Sequence, residues 1–173
     1  MNFDYQIFQL INSFAGKNKF LDALGIFASE YLIFIMAAIV FLLVFWIKHK
    51  TVRLKIINSV AASVVAWALN AAISVIYFRP RPFVGHEVVN LINKSADSKS
   101  FPSDHTAIAF AIAFSVYFFN RKLGVLLLAM AMLVAFGRIY VGVHYPLDIV
   151  GGFIVGLGSA IFVKRLSDRV SND

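Results

Sequence analysis

The segment RIYVGVHYPLDIVGG, residues 138 to 152, combines an arginine, a histidine and an aspartate at spacings that suit phosphate chemistry. His144 and Asp148 are four residues apart. If a helix begins near Pro146, the carboxylate can therefore reach back to one imidazole nitrogen. It would fix the tautomer and leave the other nitrogen as a nucleophile. Arg138 is six residues before His144 and ends the preceding apolar run.

A metal site is the alternative use for a histidine and an aspartate at this spacing. The further carboxylates nearby belong to Glu87, Asp97 and Asp104. They are too sparse for a two-metal site, and the chain has no Cys, which excludes thiolate ligands. We therefore expect no metal and no other cofactor.

The segment SFPSDHT, residues 100 to 106, predicts the start of a helix that carries polar groups. Ser103 is a good N-cap, Asp104 favours the first turn and His105 follows it. Free amides at a helix N-terminus, together with a hydroxyl and a histidine, suit an anion such as phosphate. The alternative is a capped helix with no further role.

The segment YFRPRPFVG, residues 77 to 85, presents Arg79 and Arg81 just after an apolar run. Prolines flank Arg81 on both sides, so its guanidinium is carried on stiff backbone. The three segments together supply arginines, two histidines, an aspartate and a helix N-terminus. This set of groups is typical of phosphoryl transfer, which needs positive charge, a nucleophile with its orienting group, and a general acid.

The composition places these residues in an integral membrane protein. Of the 173 residues, 60% are hydrophobic and 18 are Phe, whereas soluble domains are about 45–50% apolar. The length predicts a single domain, residues 1 to 173, with about five membrane spans. The net charge of +7 comes from short basic clusters between apolar runs, so we expect membrane lipids as partners and no nucleic acid.

The apolar runs predict an all-α, polytopic membrane helix bundle. Five spans are predicted, at 31–47, 56–78, 105–119, 123–140 and 147–163. Residues 3 to 28 have apolar side chains at helical spacing but are interrupted by GKNK, so they predict short amphipathic helices at the interface. A sixth helix, formed by residues 20 to 30 merging with the first span, is the alternative.

The basic connections predict the orientation. Lys and Arg are concentrated at 48–55, 120–122 and 163–169, which the positive-inside rule places in the cytoplasm. The connections 79–104 and 139–147 then lie together on the outer face. Ionisable groups at the ends of apolar helices are costly, and so many of them on one face indicate a functional site rather than side chains that snorkel.

These motifs resemble those of the type 2 phosphatidic acid phosphatase superfamily of membrane phosphatases, over residues 70 to 152. The signature of that family is Lys-x6-Arg-Pro, Pro-Ser-Gly-His and Ser-Arg-x5-His-x3-Asp. This chain has Arg81-Pro82 from the first part and Pro102-Ser103-Asp104-His105 as the second. The third part reads Gly137-Arg138, five residues, His144, three residues and Asp148.

The resemblance implies a role for each matching residue. His144 would attack phosphorus and form a phosphohistidine, Asp148 would orient it, and His105 would protonate the leaving oxygen. Arg81, Arg138 and the Ser103 region would hold the phosphate, and water would hydrolyse the phosphoenzyme without a metal.

The chain departs from the family pattern at three positions. Ser74 stands where the family has Lys, and Arg79 is the candidate to supply the missing charge. Gly137 replaces the Ser before the arginine of the third motif. Asp104 replaces a small residue and disfavours an anion unless it pairs with a base. Arg79 and Asp104 are therefore included among the candidate phosphate-binding residues.

Small size, short loops and the forms RPRPF and SFPSDH resemble the bacterial undecaprenyl-diphosphate phosphatases of the bacitracin-resistance type. This implies a polyprenyl diphosphate substrate, a role in recycling the lipid carrier of cell-wall synthesis, and a multi-pass protein of the plasma membrane with its site outside. A phosphatase of lipid monophosphates, such as phosphatidylglycerophosphate or phosphatidate, is one alternative. A non-catalytic protein that binds or transports lipid is the other. The sequence predicts no oligomeric state.

Overall fold

The computed structural model describes residues 3 to 170, apart from the side chain of Thr51. This part of the chain is helical, which confirms the all-α prediction. In chain order the elements are α1 (Phe3–Asn12), α2 (Lys19–Ile26), a π-helical turn (Phe27–Tyr31), α3 (Leu32–Trp46), α4 (Lys50–Ile76), α5 (Pro82–Gly85), α6 (Asp104–Tyr117), α7 (Arg121–Tyr140) and α8 (Pro146–Val170).

Four helical segments among the described residues are long and apolar enough to cross a membrane. They are Lys19–Trp46, Val52–Ile76, Arg121–Tyr140 and Pro146–Val170. Large apolar side chains such as Phe41, Phe45 and Ile154 are exposed on the outside of the bundle. In water such a surface would be unfavourable, whereas lipid tails solvate it. The chain is therefore a membrane protein, as predicted.

The predicted span 105–119 corresponds to α6, which differs from the other four. It has 14 residues, so it is about 21 Å long and shorter than the roughly 30 Å hydrocarbon core of a bilayer. It packs against α4, α7 and α8, and most of its side chains are buried. Because protein rather than lipid surrounds α6, it need not match the bilayer, and the predicted number of five spans is not confirmed.

The N-terminal region differs from the preferred prediction. Only α1 is a separate short helix; α2, the π-helical turn and α3 run on as the segment Lys19–Trp46. The continuous helix from Lys19 favours the alternative in which residues 20 to 30 merge with the first span over a separate interfacial helix. Asn18 starts the segment, because its side-chain oxygen accepts from the backbone N–H groups of Phe20 and Leu21.

The basic connections lie at one end of the bundle. Ile47 and Val52, on either side of the α3–α4 connection, line the same cleft as Phe119 and Leu123, which flank the α6–α7 connection. These two basic connections therefore share one end of the bundle, and the connections that carry the candidate site are at the opposite end.

A close approach between α8 and α6 holds that opposite end together. A Cβ atom at Gly152 would lie 2.8 Å from the carbonyl oxygen of Ser103, closer than real Cβ contacts. Glycine therefore lets the first turns of α8 lie directly against the start of α6. This contact brings Asp148 and the residues before it next to the predicted helix N-terminus.

Candidate active site

Three connections meet at the end of the bundle that carries the predicted site. The backbone N–H of Ser100 donates to the carbonyl of Arg79 at 2.8 Å. The N–H of Ser103 donates to the carbonyl of Asp148 at 3.1 Å. These bonds join the chain after α4, the start of α6 and the start of α8, so the three sequence motifs form one cluster.

His144 lies in the short connection between α7 and α8 and is 3% exposed. Its Nε2 is 3.3 Å from Nη1 of Arg81, and its Nδ1 is 3.5 Å from Oδ2 of Asp148. A guanidinium group can only donate, so Nε2 must carry the lone pair and Nδ1 the proton. The contact with Asp148 fits this tautomer. The nitrogen that can attack an electrophile therefore faces a guanidinium group.

The environment of His144 also sets its charge. Burial lowers the pKa of His144 to about 4, and the positive charges of Arg138 and Arg81 act in the same direction. The hydrogen bond to Asp148 opposes them without outweighing them. The imidazole is consequently neutral near pH 7, as a nucleophile must be.

Asp148 is fully buried, and four groups surround its carboxylate. Oδ2 accepts from the Ser100 hydroxyl at 2.5 Å and from the backbone N–H of Tyr145 at 2.8 Å, and it faces His144. Oδ1 accepts from Nη1 of Arg79 at 2.8 Å. A carboxylate held by this many donors stays ionised and keeps a fixed orientation.

Arg79 lies behind this carboxylate rather than at a free surface. Its Nη2 donates to Asp4 of α1 at 2.5 Å, and its guanidinium stacks 3.9 Å from the centre of the Tyr145 ring. Burial lowers its pKa, but Asp148 and Asp4 outweigh that effect and leave the pKa raised. Arg79 was predicted to supply the positive charge of the family lysine that Ser74 replaces. In the structure this charge is paired with the carboxylates of Asp4 and Asp148. The geometry gives Arg79 partners other than phosphate.

Arg81 has a different environment. Its Nε donates to the Ser98 hydroxyl at 2.7 Å and its Nη1 to the carbonyl of Val143 at 3.0 Å. Burial lowers its pKa, though not enough to threaten its charge near pH 7. No carboxylate forms an ion pair with Arg81 among residues 3 to 170. Its charge is therefore available for an anion beside His144.

Arg138, at the end of α7, is 1% exposed. Its Nη1 donates to Oε1 of Glu30 at 2.5 Å and to the Ser29 hydroxyl at 3.1 Å. Its Nε is buried and has no hydrogen-bond partner among the described residues. Arg138 interacts electrostatically with His105 and His144, so it belongs to the same cluster.

The start of α6 contributes the second motif. The Ser103 hydroxyl is buried and accepts from the hydroxyl and the backbone N–H of Thr106, so it caps the helix. Asp104 accepts from Lys99 and from Asn70, each at 2.8 Å. Lys99 is thus the base that Asp104 requires near an anion site. The next residue, His105, is partly buried.

Several residues of the cluster were not predicted. Ser98, Ser100 and Lys99 belong to a polar loop that has no distinctive spacing, and Asp4 lies in a helix interpreted as interfacial. Glu30 did carry a signal, because a lone acidic residue next to a long apolar run is costly and usually has a function.

Comparisons with known proteins identify the family of this chain. The family model described as the PAP2 superfamily matches residues 53–171, so the chain belongs to that superfamily. The motifs therefore identify the class correctly, and the chain is a membrane phosphatase.

Two relatives and one solved structure are similar over nearly the whole chain. The Bacillus subtilis (strain 168) protein named undecaprenyl-diphosphatase BcrC is 39% identical, over 95% of this chain and 84% of that protein. A Bacillus licheniformis protein named bacitracin transport permease protein BcrC is 36% identical, over 95% of this chain and 80% of that protein. The crystal structure of Aquifex aeolicus LpxE has a TM-score of 0.76 at 25% identity, covering 95% of this chain and 96% of that one.

Proposed function

We propose that this phosphatase hydrolyses undecaprenyl diphosphate to undecaprenyl phosphate and inorganic phosphate. The similarity to the B. subtilis undecaprenyl-diphosphatase supports the substrate. The observation that carries the chemistry is the arrangement of His144, whose Nε2 faces Arg81 at 3.3 Å while its Nδ1 faces Asp148 at 3.5 Å. A neutral imidazole with one nitrogen oriented and the other beside a cation suits attack on a phosphate.

In the first step, the Nε2 lone pair of His144 attacks the terminal phosphorus of the diphosphate. A P–N bond forms, and the bond between phosphorus and the bridging oxygen breaks. The leaving group is the lipid phosphate, and its proton comes from His105, which the negative charge of the bound diphosphate holds in the imidazolium form. In the second step, the oxygen of a water molecule bonds to phosphorus, the P–N bond breaks and His105 takes up the proton of the water. Inorganic phosphate leaves, and both histidines return to their starting state.

The charged residues around the histidines have two kinds of role. Arg81 and Arg138 hold the transferred phosphate, together with free backbone amides in the first turn of α6. Asp148 fixes the tautomer of His144, and Arg79 fixes Asp148 from the other side. Arg79 is on this view a positioning residue. Asp104 borders the site, and its ion pair with Lys99 limits its repulsion of the phosphate.

We also propose that the site faces outward across a bacterial plasma membrane, where the enzyme would recycle the lipid carrier of cell-wall synthesis. The basic connections at the opposite end of the bundle support this orientation. The chain has no Cys, so single cysteines can test it. With an impermeant thiol reagent on intact cells, Ala96→Cys should be labelled and Arg53→Cys should not. The reverse pattern would show that the site faces the cytoplasm.

Phosphate release from purified protein tests the activity. Undecaprenyl diphosphate should be hydrolysed faster than phosphatidylglycerophosphate or phosphatidate in the same detergent. His144→Ala should abolish release, and His49→Ala, at the opposite end of the bundle, is the matched control. Faster hydrolysis of the monophosphates would replace the proposed substrate with a lipid monophosphate.

A second candidate function is lipid binding or transport without catalysis. The B. licheniformis relative is named as a transport permease, although of bacitracin and not of a lipid. The presence of His144, Asp148 and His105 in one cluster argues against it, because a protein that only binds lipid has no need for a nucleophile. If the wild-type protein and His144→Ala release phosphate equally slowly, this second function would be supported.

A further inference from the structure

Glu30 is an acidic residue inside the first long helical segment, within the π-helical turn Phe27–Tyr31. Its two carboxylate oxygens have different partners. Oε1 accepts from Nη1 of Arg138 at 2.5 Å, and Oε2 accepts from the ammonium group of Lys94 at 3.0 Å. π-Helical turns are uncommon and frequently occur at functional sites. The proposed mechanism gives Glu30 no role, so its contacts need a separate explanation.

The local backbone brings this turn unusually close to α7. A Cβ atom at Gly137 would lie 2.9 Å from the backbone nitrogen of Ser29, a distance that real Cβ atoms essentially never show. Glycine at position 137 is therefore required for this packing, which accounts for its presence where the family has serine. The approach places the buried Ser29 hydroxyl 3.1 Å from the same Nη1 of Arg138 that Glu30 contacts.

Arg138 is consequently anchored at one edge only. Its Nη1 has Glu30 and Ser29 as partners, whereas its buried Nε has none among the described residues. A guanidinium group offers planar edges that each match two oxygens of a phosphate. The contacts of Nη1 prevent rotation of the guanidinium group. The opposite edge, formed by Nε and Nη2 and called here the Nε edge, remains for an anion. A buried N–H without a partner is unfavourable, and a phosphate oxygen would satisfy it.

We propose that Glu30 is a positioning residue of the phosphate site. Its carboxylate fixes Nη1 of Arg138, so that the Nε edge of the guanidinium can donate to the phosphate. The proposal rests on the phosphate site of the proposed function. Glu30 does not touch the substrate. Lys94 is the second partner of the carboxylate and is not required for the effect on Arg138.

Phosphate affinity tests the proposal, with inorganic phosphate as the probe and thermal stabilisation of the detergent-solubilised protein as the readout. Glu30→Ala should weaken phosphate binding about 10–100-fold, because small displacements of a binding group have effects of that size. Glu30→Gln keeps an oxygen for Arg138 and should stay within about threefold of wild type. Lys94→Met leaves the contact between Glu30 and Arg138 intact and is the matched control. A loss with Lys94→Met as large as with Glu30→Ala would overturn the proposal.

A double-mutant cycle separates positioning from a general structural effect. Because Glu30 acts through Arg138, Glu30→Ala should weaken phosphate binding no further in an Arg138→Ala background. Additive losses would refute the proposal. If wild type fails to hydrolyse undecaprenyl diphosphate and the cycle still shows this coupling, the proposed substrate fails and the role of Glu30 stands. If wild type is active and Glu30→Ala binds phosphate normally, the role of Glu30 fails alone.

Discussion

Replacing Arg79 with methionine distinguishes a positioning residue from a phosphate ligand. Arg79 lies between two carboxylates, at 2.5 Å from Asp4 and 2.8 Å from Asp148. The side chain of Arg79 is 18% exposed, and those of Asp4 and Asp148 are 2% and 0% exposed. Methionine keeps the unbranched stem of the side chain but ends where the guanidinium begins. The substitution therefore removes the charge together with the stacking of the guanidinium on the ring of Tyr145.

The expected loss of stability is large. Removing one partner of a buried ion pair costs about 3–5 kcal/mol, because the remaining charge is left unpaired. Here both carboxylates keep other donors: Asp148 keeps the Ser100 hydroxyl and the N–H of Tyr145, and Asp4 keeps the N–H of Leu147 at 2.8 Å. We therefore expect the lower end of that range, about 3 kcal/mol. A less firmly held Asp148 should lower kcat about 10–100-fold and leave KM nearly unchanged.

Thermal unfolding and steady-state kinetics with undecaprenyl diphosphate, in one detergent, measure both effects. The matched control is the double variant Asp4→Asn with Arg79→Met, which removes one of the two unpaired carboxylates. It should unfold at a higher temperature than Arg79→Met alone. If Arg79→Met instead raises KM at least about tenfold, with kcat and stability unchanged, the loss is one of ground-state binding and Arg79 binds phosphate.

Three further predictions concern the chemical steps. Burial lowers the pKa of His144 to about 4. In single-turnover experiments on the His105→Ala variant, which lacks the second titrating histidine, the slower phosphorylation should be flat from about pH 8 to about pH 5 and should fall as the pH passes through about 4, because the imidazole of His144 becomes protonated; a fall centred between about pH 6 and 7 in this variant would show an ordinary histidine. His105→Ala should slow lipid monophosphates more than diphosphates in the first turnover, because an alkoxide needs the proton more than a phosphate does; equal slowing would assign His105 to phosphate binding. Hydrolysis should survive EDTA, because guanidinium groups supply the positive charge, and loss of activity restored by a divalent metal would contradict the proposed mechanism.

The contact between His144 and Asp148 could be predicted from the sequence because it is local. His144 and Asp148 are one helical turn apart, so their spacing alone brings the two side chains together once α8 begins at Pro146. Ser103 predicted the start of α6 for the same reason, since an N-cap depends only on the next few residues.

The partners of the arginines could not be predicted in this way. Asp4 and Arg79 are separated by 75 positions, and Glu30 and Arg138 by 108. These pairs depend on how whole helices pack, which residue spacing does not encode. An arginine beside an active site resembles a phosphate ligand in sequence whether it faces an anion or a buried carboxylate. On that basis the sequence predicts phosphate binding for Arg79, and the variant Arg79→Met tests it.

The membrane spans were also predicted only in part. The long apolar runs predicted α4, α7 and α8 within a few residues at most ends, because lipid requires continuous apolar sequence. For α6 the run also predicted a helix, but hydropathy does not distinguish burial in protein from burial in lipid. At the N-terminus, the interruption GKNK predicted short interfacial helices, whereas a continuous helical segment begins at Lys19, and two polar residues within it, Ser29 and Glu30, contact Arg138.

The ion pair between Glu30 and Arg138 also has a consequence for biogenesis. Its partners are 108 residues apart, so at about 5–20 residues per second the ribosome makes the arginine roughly 5–20 s after the glutamate. During that interval the first long helix must enter the bilayer with a carboxylate that has no cation from α7. Glu30 is the twelfth residue of the segment Lys19–Trp46, so its carboxylate is costly in the bilayer until a cation pairs with it. We therefore expect the first segment to reach its final depth only after α7 arrives.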